Sequence, residues 1–313
     1  MTGVLSLIEQ QDDKPDWRRV IAGFCVSTFV ALAGYYLLRN QRGEMGIALF
    51  FMTPVAAGVA AGLIAQSSRE LILALTITFL GVTAALFISN AEGWVCILMS
   101  APIIFFGLGI GAFLGRLVRK SILSKFRSSV MSRLIIIIIL PVLLGGANWL
   151  ERETSEFKRH ETIVSTVLLD ASGQAVWDSI KEVDRIDLPR PFLLRIGLPV
   201  PISCSIADER VGGARTCYFD SGYISERITE WNPPSSMRMD IVDAQVPGRQ
   251  WLGFQSAGYT LQEQNGKTLL IRETTIESRL LPAWYWRRLE RIGVETEHEY
   301  LFEYLRRHLP HSE

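Results

Sequence analysis

The sequence has only four histidines and four cysteines in 313 residues, and no excess of charge, since 32 Lys and Arg balance 32 Asp and Glu. A formal charge of zero provides no basic surface for a polyanion, so nucleic acid is not an expected partner. Also missing are a Gly-x-Ser-x-Gly elbow, a phosphate-binding loop and a His-Glu-x-x-His helix. The histidines and cysteines lack zinc-ligand spacing, so neither a metal nor a cofactor is expected.

Charge is also absent from long stretches of the first half. Hydrophobic residues make up 49% of the chain, and most of the apolar runs lie before Leu150. A bilayer core of about 30 Å requires about 20 apolar residues in a helix. Five segments approach that length: 20–38, 46–65, 71–89, 94–117 and 134–150. Each is free of Asp, Glu, Lys and Arg until its final turn. The last is shorter, with consecutive isoleucines from Ile135 to Ile139 and an interfacial Trp149. The expected organisation is a leader over 1–19, a transmembrane helical bundle over 20–150, a charged linker over 151–161 and a water-exposed domain over 162–313.

A cleaved signal peptide is the competing reading of the first segment, because Arg18 and Arg19 precede it and Ala31-Leu32-Ala33 resembles a cleavage site. The long acidic leader and the apolar segments that follow favour an anchor.

Lys and Arg gather in the leader (Lys14, Arg18, Arg19) and between the fourth and fifth segments (Arg119, Lys120, Lys125, Arg127, Arg133), which places both in the cytoplasm. With five spans the C-terminal domain then faces the opposite side, the periplasm in a Gram-negative bacterium. If 134–150 does not cross, that domain is cytoplasmic.

The spans carry no ionisable residue at mid-membrane, which argues against an ion-coupled carrier. They do carry closely spaced small residues: Gly107, Gly111 and Gly115 in the fourth, Gly58 and Gly62 in the second. Such spacing allows close helix approach, within this bundle or, as the alternative, in a homodimer.

Beyond the linker, 162–170 alternates as a strand, and 174–183 carries Val176, Trp177, Ile180 and Val183 at helical spacing. Strands follow over 202–208, 214–220, 223–231, 237–243, 250–262 and 267–278, separated by turn residues such as Asn232-Pro233-Pro234 and Gln264-Asn265-Gly266. A long helix over 283–309 closes the chain. The predicted class is α+β, a curved antiparallel sheet with a long helix across its concave face and an apolar ligand pocket between them.

These residues resemble the helix-grip superfamily of START-like, birch-pollen-allergen and polyketide cyclase/dehydrase domains (SRPBCC). The likeness rests on the opening strand, on Ser172-Gly173-Gln174-Ala175-Val176-Trp177-Asp178, on Gly212-Gly213-Ala214-Arg215-Thr216-Cys217 and Gly222, on Glu226-Arg227-Ile228-Thr229-Glu230-Trp231-Asn232-Pro233-Pro234, and on Pro282-Ala283-Trp284-Tyr285-Trp286. It covers most of 162–308 and none of the first 150 residues. It implies a hydrophobic or amphipathic, lipid-like molecule held under the last helix.

In the hairpin centred on Asp220-Ser221, Arg215 falls opposite Glu226 on a face shared with Cys217, Phe219, Ile224 and Ile228. A charged pair on an apolar face is either structural or ligand-facing. His298 lies on the stripe of Val294, Leu301 and Leu305, where a satisfied edge histidine competes with a ligand-binding or proton-moving one. Tyr218, Tyr259, Tyr285 and Tyr300 are candidate pocket hydroxyls, and Ile292 is a candidate apolar wall residue. Cys204 and Cys217 flank the turn at 209–213 in opposed register, so a disulfide competes with two buried thiols. The expected functions are a membrane-anchored binding module; a cyclase or dehydratase using Arg215, Glu226 and His298; or an interaction protein with a vestigial pocket.

Overall fold

A computed structural model of the chain describes residues 14–39, 47–88, 94–121, 146, 158–246 and 252–310. The chain divides into two compact units.

The helical unit is built from α1 (Trp17–Arg39), α2 (Thr53–Ile64), α3 (Ser68–Ile88) and much of α4 (Trp94–Ser121). α3 opens on a capping box: Glu70 N–H donates to Ser67 Oγ at 3.1 Å, while Ser67 N–H donates back to Glu70 Oε2 at 3.2 Å. α1 is tied to α2 where Ser27 Oγ donates to the Ala57 carbonyl at 3.0 Å.

Among the described residues three helices, not five, are long and apolar enough to cross a bilayer: Trp17–Leu37, Ser68–Ile88 and Trp94–Lys120. The second expected segment falls short at Ala48–Ile64 and is not one regular helix. Pro54 stands in the first turn of α2 and has no N–H to continue a helix through it; the preceding turn, Ala48–Met52, opens into a π-helix, and Thr53 Oγ1 donates to the Ala48 carbonyl. The fifth segment, 134–150, lies outside the described residues apart from Gly146.

The small residues meet within the chain. A Cβ on Gly111 would overlap the Val55 carbonyl oxygen, one on Gly115 that of Val59, and one on Gly58 that of Leu108. Gly107 faces Pro54 and Phe51. The glycine face of α4 is therefore occupied by α2 and the turn before it, and a dimer through it would have to displace them.

The other unit contains one seven-stranded, wholly antiparallel sheet in the order β1-β7-β6-β5-β4-β3-β2. Its strands are β1 (Arg159–Leu169), β2 (Pro201–Ile206), β3 (Ala214–Phe219), β4 (Gly222–Asn232), β5 (Ser236–Gln245), β6 (Leu252–Gln264) and β7 (Lys267–Ser278). β2 to β7 form the expected meander. β1 pairs with β7, which places the first strand beside the last.

Between β1 and β2 lie α5 (Gly173–Lys181) and the single turn α6 (Phe192–Arg195), and α7 (Ala283–His308) follows β7. Ser172 caps α5 by accepting from the Ala175 N–H, and Val176, Trp177 and Ile180 are its buried face. Asn265 and Gly266, with φ of 51° and 78°, make the two-residue β6–β7 turn that requires left-handed backbone. Register shifts at Ser225/Glu226, Ile228/Glu230 and Phe254/Ser256 mark bulges that bend the strands around α7.

The core joins Val167 and Leu169 of β1, Met237 and Met239 of β5, Leu270 of β7, Trp177 of α5 and Leu301, Phe302 and Leu305 of α7. Trp177 meets Trp231 edge to face at 5.1 Å. A curved antiparallel sheet with a long C-terminal helix packed on it fits the helix-grip architecture.

Candidate functional site

On a strand, alternate residues share a face, and the concave face here carries an unusual number of polar side chains in an apolar core. Arg215 of β3 stands opposite Glu226 of β4, only 2% and 5% exposed respectively. Arg215 Nη1 donates to Glu226 Oε2 at 2.6 Å, while Nε and Nη2 donate to the Lys181 and Ile180 carbonyls at 3.3 and 3.2 Å. Those carbonyls are the unpaired acceptors at the C-terminus of α5. Each guanidinium nitrogen is thus engaged, and the pair fastens α5 to the sheet. Burial opposes the charge on Arg215, but Glu226 outweighs it and holds the pKa above its ordinary value.

Arg215 lies 5.9 Å from the ring centre of Tyr259 on β6. A second guanidinium, Arg272 of β7, is the cross-strand neighbour of Tyr259 and lies 5.5 Å from the same ring. Its Nη2 pairs with Glu297 of α7 at 2.8 Å. Its Nε and Nη1 are buried and have no hydrogen-bond partner among the described residues. A guanidinium has five N–H donors, so the one on Nε and the two on Nη1 are open. A buried, unmade hydrogen bond costs about 1–3 kcal/mol, more when the group is charged. The ring face of Tyr259 offsets about 2 kcal/mol of that.

One residue further along α7, His298 is fully buried. Its Nε2 meets Thr274 Oγ1 and its Nδ1 meets Ser165 Oγ, each at 2.8 Å. Hydroxyls donate or accept, so a neutral imidazole is satisfied in either tautomer. Burial, reinforced by the Arg272 charge, pushes its pKa down to about 2. A histidine so placed stays neutral at physiological pH and is a weak proton acceptor. Its two hydrogen bonds tie α7 to β1 and β7. A further tie lies near the start of the helix, where buried Glu290 accepts from Arg159 and Ser278.

The structure thus brings Arg215, Glu226 and Tyr259 into one cluster with Arg272, and places His298 beside it. Ile228 is 1% exposed on the same concave face, and Phe219 is half-buried at the end of β3. Ile292 is a correction. It is 47% exposed, because at 3.6 residues per turn it points away from the inward stripe of Glu290, Val294 and His298. Tyr218 is exposed on the convex face, and Tyr300 is buried with its hydroxyl donating to the Leu188 carbonyl at 3.1 Å. Tyr285 stacks edge-on between Trp284 and Trp286 in the first turn of α7.

Arg272, Thr274, Ser165 and Glu297 were not expected. The alternation Leu270, Arg272, Thr274, Ile276 carries the signal for two of them, since it sets a cation and a hydroxyl on the apolar face of β7. Cys204 and Cys217 are directly opposed on β2 and β3 and joined by a disulfide. Cys25 and Cys96 are not part of a disulfide. Among the described residues, no group of three or more His, Cys, Asp and Glu is arranged to hold a metal ion.

No protein-family model matches the chain, and no curated protein does. Solved structures do overlay on part of it. A START superfamily protein from Mycobacterium smegmatis is 12% identical with a TM-score of 0.36, over 48% of this chain and 97% of that one. The di-domain aromatase/cyclase BexL of the BE-7585A biosynthetic pathway is 14% identical with a TM-score of 0.36, over 66% and 62%. CalU16 from Micromonospora echinospora is 19% identical with a TM-score of 0.28, over 47% and 76%.

Proposed function

We propose that the chain is a membrane-anchored binding module whose helix-grip domain holds a small amphipathic molecule between the concave face of its sheet and α7. The observation that carries this reading is the composition of that face. Leu261, Leu270, Leu301 and Leu305 supply apolar walls, and beside them Arg272 keeps buried N–H donors open. The long apolar helices supply the anchor. The Cys204–Cys217 disulfide supports an oxidising, extracytoplasmic setting for the domain. A cyclase or dehydratase in the same place would need another base than His298, whose imidazole is buried, neutral and engaged at both nitrogens.

The test is native mass spectrometry of the full chain extracted from membranes. The expected result is a bound species of defined mass, lost when Leu301→Trp fills the interior from α7. A chain that emerges empty and then takes up no single-chain lipid, isoprenoid or aromatic molecule overturns the reading. It would leave the polar ties as scaffolding for a domain that docks to another protein.

A further inference from the structure

The two arginines on the concave face share Tyr259 but differ in one respect. Arg215 spends its donors on Glu226 and two backbone carbonyls. Among the described residues Arg272 has a single hydrogen-bond partner, Glu297, and the rest of its guanidinium is buried with none of them accepting its hydrogens. A purely structural cation on a sheet is expected to be saturated, as Arg215 is. Among the described residues the one carboxylate bonded to Arg272 comes from α7 rather than from the sheet, and its side chain is 22% exposed. Glu297 can therefore swing toward water, leaving a planar, permanently charged fork for another oxyanion.

We infer that Arg272 is the receptor for an acidic head group, so that the molecule held under α7 is an amphipath ending in a carboxylate or a phosphate. This rests on the binding reading above and names its ligand class. The open Nε and Nη1 donors suit an acceptor-rich anion, because charge-assisted bonds of this kind are stronger than neutral ones and a guanidinium fork matches both oxyanions. The face of Tyr259 flanks the guanidinium on one side. Thr274 and His298 stand next along β7 and α7, bonded to each other. The apolar tail would then run along Leu270, Leu301 and Leu305.

The experiment compares equilibrium binding of decanoate, decyl phosphate and decanol to the full detergent-solubilised chain, read from tryptophan emission. The wild-type chain is expected to bind at least one of the acids about tenfold more tightly than the alcohol. Whichever acid binds better identifies the head group. Arg272→Met should erase the margin, the acids then binding no more tightly than decanol. Glu297→Gln, at a partly exposed helix position, removes the competing carboxylate and should widen the margin severalfold without changing decanol binding. If decanol binds as tightly as both acids, or if the margin is unchanged in Glu297→Gln or survives in Arg272→Met, the head-group assignment is overturned while the binding reading stands. If none of the three probes binds, both fall.

Discussion

Substituting His298 with glutamine should flatten the acid side of the protein's stability profile. The folded chain holds this imidazole neutral, with its pKa pushed to about 2, because it has no exposure and Arg272 lies beside it. In the unfolded chain it takes up a proton near its ordinary pKa of about 6.5. Between those values the unfolded state binds more protons, so stability is lost as pH falls through about 6.5. The loss is about 1.4 kcal/mol per pH unit, or about 3 kcal/mol between pH 7.5 and 4.5. Glutamine reproduces one of the two hydrogen bonds and does not titrate. The variant should thus be less stable than wild type at pH 7.5, with the gap closing by about 3 kcal/mol at pH 4.5. Carboxylates held below their usual range, such as Glu277 beside Arg279 and Lys158, weaken both proteins equally and drop out of the comparison. Urea unfolding of the detergent-solubilised chain at several pH values measures the difference. Parallel profiles for the two proteins would show that the native imidazole accepts a proton, contrary to its burial between Ser165 and Thr274.

Other substitutions probe the scaffold. Arg215→Met or Glu226→Gln alone should destabilise the domain by about 3–5 kcal/mol, since each strands a buried charge or its partner, whereas removing both charges with apolar residues should recover most of that loss. Under denaturing, non-reducing conditions only Cys25 and Cys96 should react with maleimide, and all four cysteines after reduction; four reactive thiols before reduction would contradict the disulfide. Gly111→Ala should destabilise the helical unit by about 1–3 kcal/mol by forcing α4 from α2, whereas Gly109→Ala, which meets nothing within 4 Å, should be tolerated. Equal effects of the two, read from thermal aggregation in detergent, would argue against the α2–α4 packing.

Periodicity made most of the sheet domain legible. The two hairpin turns at Asp220-Ser221 and Asn265-Gly266 fix the registers of their strands, and so the Arg215–Glu226 pairing follows from counting residues. The inward stripe of α7 found His298 in the same way. Hydrophobicity alone places Ile292 inward, whereas helical phase turns it to the surface. Arg272 is not legible in the sequence because the groups that engage it, Tyr259 on β6 and Glu297 on α7, lie elsewhere in the chain. A charged residue in a strand is normally read as solvent-facing, and only the fold shows that this one points inward. In the first half, apolar length overstated the second segment. The tally of apolar residues does not register that Thr53-Pro54 starts a new helix.

The most direct test of binding between the sheet and α7 is photolabelling. A single-chain carboxylate bearing a diazirine on its tail is supplied to the full chain, irradiated, and the labelled peptides are mapped. The expected labels fall on the inward residues of α7, Val294, Leu301 and Leu305, and on β7 near Leu270, and excess unlabelled decanoate suppresses them. Labels confined to α1, α3 and α4, unaffected by competitor, would place the probe in the detergent around the apolar helices and contradict a ligand site in the helix-grip domain.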